Sequence, residues 1–423
     1  MRFSTQFAIF IFSVTVANLA RAGASGPISA GDQHTCALSS NSMVYCWGDN
    51  TFGQLGNGRP VGEAGSVQKL PRPVQVLNAA GDGPLRLMTD ISAGSRHTCA
   101  RLWISGSLLC WGDDTFGELG DGHPRNVASL PTFVLDRVSK APIANAISID
   151  AGEDDFSCAL LYDAPRNLGN YSIACWGSGS DSQLGDNSYL DEDFPLPLAY
   201  PNSSMMQVST GKLHACAIDE HRLVYCWGYQ WGANWEEVIP EYVLSSSGTR
   251  FTDAEELALG DDFSCALMVD TTVFCWGYNA WGELGNGTGL SPSLFPVHVI
   301  DQSGAPLQKI SAIAAGGRHA CALKADTTVA CWGENSAGQL GEGRQSGGEL
   351  LPVQVVDSMG APIRDIISIA AGTSHTCAMK LDASVLCWGA NNSGQLGNGT
   401  FEGSNVALPV DFETIFANGF DGA

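Results

Sequence analysis

Along most of the chain, apolar residues come in runs of four to six positions, broken by Gly, Asn, Asp and Pro. The last series reads ISIAAG, HTCAM, SVLCWG and LPVDF, between Ile367 and Phe412. Runs this short, rich in β-branched and aromatic residues and bounded by turn residues, predict strands rather than helices. The series recurs. Aligned on the triplet Cys-Trp-Gly, it gives seven copies, at Trp47, Trp111, Trp176, Trp227, Trp276, Trp332 and Trp388. Seven units of four short strands predict an all-β, seven-bladed β-propeller, one blade per unit, closed so that long sheet edges are not exposed. Separate hairpins are the poorer arrangement, because an isolated hairpin is only marginally stable in water.

In each unit one cysteine precedes the Cys-Trp-Gly cysteine by 10 to 17 positions. This pairs Cys36 with Cys46, Cys99 with Cys110, Cys158 with Cys175, Cys216 with Cys226, Cys265 with Cys275, Cys321 with Cys331 and Cys377 with Cys387, and uses all 14 cysteines. HTCAL and VYCWG, joined by a short polar turn, predict an antiparallel hairpin with its two cysteines opposite each other, close enough for a disulfide. One disulfide per blade is therefore expected, each contributing about 2–4 kcal/mol on the loop-entropy account. The extra residues of the third unit, LLYDAPRNLGNYSIAC, are expected at the hairpin tip. Reduced thiols packed as small apolar residues are the competing reading. A metal reading is weaker, because Cys-x-x-Cys spacing is absent from the sequence.

The glycines of GQLGNG (53–58), GELGDG (117–122), GELGNG (282–287), GQLGEG (338–343) and GQLGNG (394–399) fall where the chain must turn tightly or pass close to a neighbouring blade. The Leu between them reads as a plug between blades. The Trp of each triplet is expected between adjacent sheets, its indole N–H on a backbone carbonyl.

The pattern AG-x-x-HTCAL … VYCWG-x-N-x-x-GQLG-x-G resembles the repeat of the regulator-of-chromosome-condensation family over essentially the whole chain after its N-terminal segment. The resemblance implies a seven-bladed propeller, in agreement with the count of units. The paired cysteines depart from the intracellular repeat and suit an exported, bacterial-type member. Members of that family include an exchange factor for a nuclear small GTPase and secreted inhibitors of β-lactamases. No inhibitor contact residue can be carried over by motif. Ring closure is expected to pair Pro409–Phe412 with the first unit rather than to complete the seventh.

Charge narrows the class of partner. Asp and Glu number 44 against 21 Lys and Arg, a net of −23, so nucleic acid and anionic lipid surfaces are expected to be repelled. The N-terminus reads as a signal peptide over 1–22: Arg2, an apolar run from Phe7 to about Ala17, then Ala20-Arg21-Ala22. This predicts a secreted, extracellular or periplasmic protein with the propeller over 23–412 and a short tail over 413–423. No later segment approaches the roughly 18–20 apolar residues of a membrane span.

His34, His97, His214, His319 and His375 each stand two residues before a first cysteine, where the third and fifth units have Phe156 and Phe263. A position that accepts His or Phe is a packing position. Function belongs instead to what the repeats do not share. Tyr229, Trp231, Trp235, Tyr278 and Trp281, with Phe52 and Phe116, form a candidate aromatic binding patch in the loops after Cys-Trp-Gly. Acidic clusters GEDDF (152–156), DEDF (191–194) and GDDF (260–263) are the other unshared feature. No nucleophile elbow, P-loop or zinc-protease motif is visible, and no cofactor or metal is expected. The reading is a monomeric, non-enzymatic binding or scaffold propeller for another protein, such as an inhibitor of an extracellular enzyme. Two alternatives stand beside it. One is a carbohydrate-binding protein or polysaccharide-acting enzyme using Asp154 with Asp155 or Asp261 with Asp262; the other is an envelope or adhesion component.

Overall fold

The computed structural model describes residues 26–61, 68–123, 126–162, 171–199, 203–229 and 237–412. The expected signal peptide, the tail after 412, and Trp231 and Trp235 lie outside the described residues. The chain forms seven four-stranded antiparallel sheets, each built from four consecutive strands. Blade 1 runs Ile28–Ala30, His34–Leu38, Val44–Asp49 and Lys69–Gln75; blade 7 runs Ile366–Ala371, His375–Lys380, Val385–Gly389 and Ser404–Pro409. The first strands of neighbouring blades pack around the axis, and that of blade 1 meets that of blade 7, closing the ring.

Stacking explains why the middle strands are continuously apolar instead of alternating. Each sheet is covered on both faces by its neighbours, so Val44–Asp49 is buried at every position, whereas the outermost strand Lys69–Gln75 mixes exposed and buried residues. The seams are the core. Cys36, Cys46 and Leu55 of blade 1 pack with Ile91, Ala100 and Trp111 of blade 2.

The cysteines pair as their spacing predicts, one disulfide in each blade. Cys36 is bonded to Cys46, Cys99 to Cys110, Cys158 to Cys175, Cys216 to Cys226, Cys265 to Cys275, Cys321 to Cys331 and Cys377 to Cys387, with Cα atoms 4.0–4.1 Å apart. Reduced thiols are thereby set aside. In the third blade Tyr162 pairs with Tyr171 and Cys158 with Cys175, so the cysteine register is the same as in the other blades; residues 163–170 lie outside the described residues. The glycine of Cys-Trp-Gly is fixed by space: Gly48 has φ 109°, and a Cβ there would lie 2.4 Å from the Gln33 carbonyl oxygen. The second glycine of GQLG is fixed by the next blade, since a Cβ on Gly56 would lie 2.8 Å from Trp111 Nε1.

Closure differs from the expectation. Pro409 pairs with Leu386 and Leu408 with Cys387, so the last described strand completes blade 7, and among the described residues no strand is exchanged with the first unit. The strand also begins earlier, at Ser404. Beyond Pro409 the segment reaches blade 1 by side chains alone: the Phe412 ring meets Tyr45 and Trp47 edge-on at 6.2 and 5.9 Å, and Asp411 binds Arg72 Nε at 2.8 Å. The first unit carries its own outer strand, Lys69–Gln75 paired to Val44–Asp49, which leaves no gap for a borrowed one.

Candidate interaction face

Strand direction alternates within every blade, so the turn after the first strand and the loop after Cys-Trp-Gly emerge on one face of the ring, and the cysteine hairpin tips on the other. The repeated histidines lie beneath the first of these faces and are consumed by the seams. His34 Nε2 is 2.8 Å from Thr98 Oγ1 of the next blade. His97 meets Ser157 at 2.9 Å, His214 meets Ser264 at 2.9 Å, His319 meets Thr376 at 2.8 Å and His375 meets Thr35 at 2.8 Å. Thr98 Oγ1 in turn donates to the Gln54 carbonyl, 2.9 Å, which also accepts Trp111 Nε1–H at 2.9 Å. The hydroxyl hydrogen is thereby committed, so the imidazole Nε2 donates and the ring is neutral. Burial holds these histidines far below the ordinary range, at about 3 for His34, His319 and His375 and about 4 for His97 and His214.

The two exceptions complete the rule. Where Phe156 and Phe263 replace histidine, the facing residues of the next blades are Ala215 and Ala320, in the same apolar clusters. A hydroxyl opposite phenylalanine would lose its donor. The pairing His–Ser/Thr or Phe–Ala is written in the sequence in the residue after the histidine position of the following unit, Thr98 for His34 and Ala215 for Phe156.

The unshared residues gather at the mouth of the axial channel. The first turns carry Asp32 in blade 1, Arg96 in blade 2, Glu153, Asp154 and Asp155 in blade 3, Lys212 in blade 4, Asp261 and Asp262 in blade 5, and Arg318 in blade 6. GEDDF and GDDF thus share one rim, on which carboxylates outnumber cations. Glu153 lines the channel; burial, then the Asp261 and Asp32 carboxylates, push its carboxyl well above the usual range, and Lys212 opposes them. Burial likewise raises Asp154 and Asp262. DEDF lies apart, at the outer strand of blade 3, where Glu192 binds Arg137 at 3.2 Å and Phe194 lies under Lys140, 3.6 Å from the ring centre.

Of the candidate aromatics, Trp281 and Tyr229 are 37% and 38% exposed, and Phe52, Phe116 and Tyr278 are half-buried. All five stand in the loops of this face. Phe52 also seats Arg96, whose guanidinium lies 4.9 Å from its ring centre. Arg96 further pairs with Asp155 and, at 3.3 Å, with Asp113. Asp113, Glu118 and Asp155 bring carboxylate oxygens within 4.8 Å of one another, and the guanidinium is the cation that serves them. The candidate acid–base pairs, Asp154 with Asp155 and Asp261 with Asp262, do lie in turns, yet Asp155 is buried and held by Arg96 and by Ser95 at 3.0 Å. Inside the channel, Asp150 accepts from Ser92 Oγ at 3.1 Å and from the Thr210 N–H at 2.7 Å. It acts as a bracket between blades that no sequence motif announced.

Residues 28–54, 88–118, 310–339 and 366–395 match the regulator of chromosome condensation (RCC1) repeat in one form, and 270–323, 328–379 and 382–419 match it in another. This chain carries RCC1 repeats. It is 27% identical over 403 residues to the ultraviolet-B receptor UVR8 of Arabidopsis thaliana, covering 93% of this chain and 83% of that protein. It is also 27% identical to the E3 ubiquitin-protein ligase HERC2 of Homo sapiens over 86% of this chain, which is 7% of HERC2. Among solved structures, Prp20p of Saccharomyces cerevisiae superposes with a TM-score of 0.68 at 21% identity, covering 89% of this chain and 88% of that one. Human WBSCR16 gives 0.68 at 19% identity, covering 86% and 93%. At these identities the structures share the RCC1 fold. The acidic rim and the exposed aromatics are features that the seven units of this RCC1 ring do not repeat.

Proposed function

We propose that this RCC1 ring is a non-enzymatic interaction scaffold that receives a protein partner on the face carrying the first turns and the Cys-Trp-Gly loops. The observation that carries the reading is the convergence of the unshared residues there: an acidic rim with Trp281 and Tyr229 exposed among the loops. Such a surface suits a partner segment bearing Lys or Arg, steered by the acidic field and anchored by aromatic contact. Similar proteins support a binding role in general terms: Prp20p has been described for its binding to Gsp1p and histones. Export is part of the proposal. The apolar N-terminal run reads as a leader, and seven disulfides suit an oxidising compartment such as the periplasm or the cell exterior. An extracellular enzyme is the class of partner an exported ring of this kind would inhibit.

The test is capture by the oxidised protein from the exported fraction of its host, with glycans in parallel. Asp261→Asn/Asp262→Asn is expected to weaken capture about tenfold and to flatten its salt dependence; Trp281→Ala is expected to weaken it by a similar factor. Retention of a glycan in place of a protein, lost in Trp281→Ala, would move the assignment to a carbohydrate-binding ring.

A further inference from the structure

The loop of the second blade is the loop of the first with three amides turned into acids: GDNTFGQLGNG (48–58) becomes GDDTFGELGDG (112–122), so that Asp114, Glu118 and Asp121 stand where Asn50, Gln54 and Asn57 stood. The backbone does not register the change. Leu119 N–H donates to Asp114 Oδ1 at 3.0 Å as Leu55 N–H does to Asn50 Oδ1 at 3.0 Å. Phe116 N–H donates to Glu118 Oε2 at 2.8 Å as Phe52 N–H does to Gln54 Oε1 at 2.9 Å.

The other end of the side chain is different. In blade 1, Gln54 Nε2–H donates to Asp49 Oδ2 at 3.0 Å, and in blade 3 Gln183 Nε2–H donates to Ser178 Oγ at 3.2 Å. In blade 2 the equivalent residues are Glu118 and Asp113, both essentially inaccessible. Glu118 Oε1 and Asp113 Oδ2 are each buried without a hydrogen bond, and Asp113 Oδ2 has only the charge of Arg96 beside it, 3.3 Å away. Asp113, Glu118 and Asp155 bring carboxylate oxygens within 4.8 Å of one another, so ionised together in a dry seam they would repel strongly, and one hydrogen on Glu118 would relieve it. We propose that Glu118 carries a proton at neutral pH and donates it to Asp113, reproducing with an acid the clasp that glutamine forms in the blades on either side.

The surroundings agree. The charged and titratable groups around Glu118 are Asp113 and Asp155, both paired with Arg96, and the neutral His97, linked through Ser157 Oγ to the Glu118 carbonyl. Asp114 and Asp121 flank it on its own loop. Burial raises the Glu118 carboxyl to about 9, with Asp155 and Asp113 adding to the effect. A single guanidinium serves Asp113 and Asp155, which leaves Glu118 as the group to remain neutral. The clasp borders the seam where Arg96 of blade 2 holds Asp155 of blade 3, on the face proposed for binding. Loss of the proton in alkali would set three carboxylates against one guanidinium and loosen that seam.

Glu118→Gln tests this directly, by thermal unfolding of the oxidised full chain at two pH values. Because the folded acid titrates above its unfolded range, its stabilisation is complete below about pH 4.5 and is lost as pH rises toward about 9. The variant is expected to match or exceed the wild type at about pH 6 and to lead it by about 2–4 °C at about pH 10. A carboxylic-acid C=O stretch present in the wild type at neutral pH and missing from the variant would show the proton itself. The reciprocal Gln54→Glu is expected to add a new alkaline loss of stability in blade 1. An equal loss of stability by Glu118→Gln at both pH values would overturn the proposal. So would a wild type, but not a variant, whose unfolding temperature rises with added Ca²⁺ or Mg²⁺, since a cation would then fill the place given to the proton.

Discussion

The seam is specified two residues at a time. His34 with Thr98 and Phe156 with Ala215 are two solutions to one contact, and mixing them leaves a buried group unpaired. Thr98→Ala is expected to cost about 1–3 kcal/mol in urea unfolding, because the His34 N–H loses its acceptor in a dry site. Adding His34→Phe should recover part of that loss, since blades 3 and 5 already live with Phe–Ala, and the double-mutant cycle measures the coupling. The buried histidines also fix an acid limit. Their folded values lie near 3 to 4 against 6.5 unfolded, so their contribution is complete above about pH 6.5 and drains away as pH falls toward the folded values. Carboxyls raised by burial act in the opposite sense: Asp150 and Glu283, each at about 7, lose their contribution as pH rises from about 4 toward 7. Unfolding temperature against pH should therefore show a slope on each side of a mildly acidic optimum, and the Thr98→Ala/His34→Phe double variant should have a shallower acid limb.

At the level of strands and hairpins, each disulfide crosses the two middle strands of one blade. The hairpins that close 10 or 11 residues gain less from the cross-link than the one in blade 3, which closes 17. Cys158→Ala/Cys175→Ala is expected to cost about 2–4 kcal/mol by denaturant unfolding, slightly more than Cys36→Ala/Cys46→Ala. Much at this scale was legible in advance. The cysteine spacing with HTCAL and VYCWG gave the hairpins, and the Trp and Leu positions gave the seams, because those residues recur where sheets stack. The indole N–H of Trp47 does end on a backbone carbonyl, that of Gln395, at 2.9 Å. Which outer strand closes the ring was not legible. Short apolar elements at the two ends of a repeat array are compatible with either pairing, and the choice is made by register, Pro409 against Leu386. The clasp at Glu118 and the bracket at Asp150 were equally hidden, since each is defined by what faces it from another strand or blade.

For the whole molecule, blade 7 is held to blade 1 chiefly through side chains, Thr35 with His375, Trp47 with the Gln395 carbonyl, Phe412 across Tyr45 and Trp47, and Arg72 with Asp411, together with the backbone bond from Gly399 N–H to the Pro71 carbonyl at 2.7 Å. Phe412→Ala is expected to cost about 1–3 kcal/mol, two edge-to-face contacts at about 0.5–1.5 kcal/mol each, and to raise hydrogen exchange first in blades 1 and 7. A ring closed this way is a rigid platform with two unlike faces. The aromatic loops and the acidic mouth share one of them; Trp103, 67% exposed, stands at a hairpin tip on the other. Binding through the first face is put to the test by capture from the host's exported proteins. The Asp261→Asn/Asp262→Asn/Trp281→Ala variant and Trp103→Ala, both shown to be folded and fully oxidised, would be compared with the wild type. One protein component is expected to be retained by the wild type and by Trp103→Ala and lost by the variant of the acidic, aromatic face. Loss of that component in Trp103→Ala, with the other variant unaffected, would contradict it.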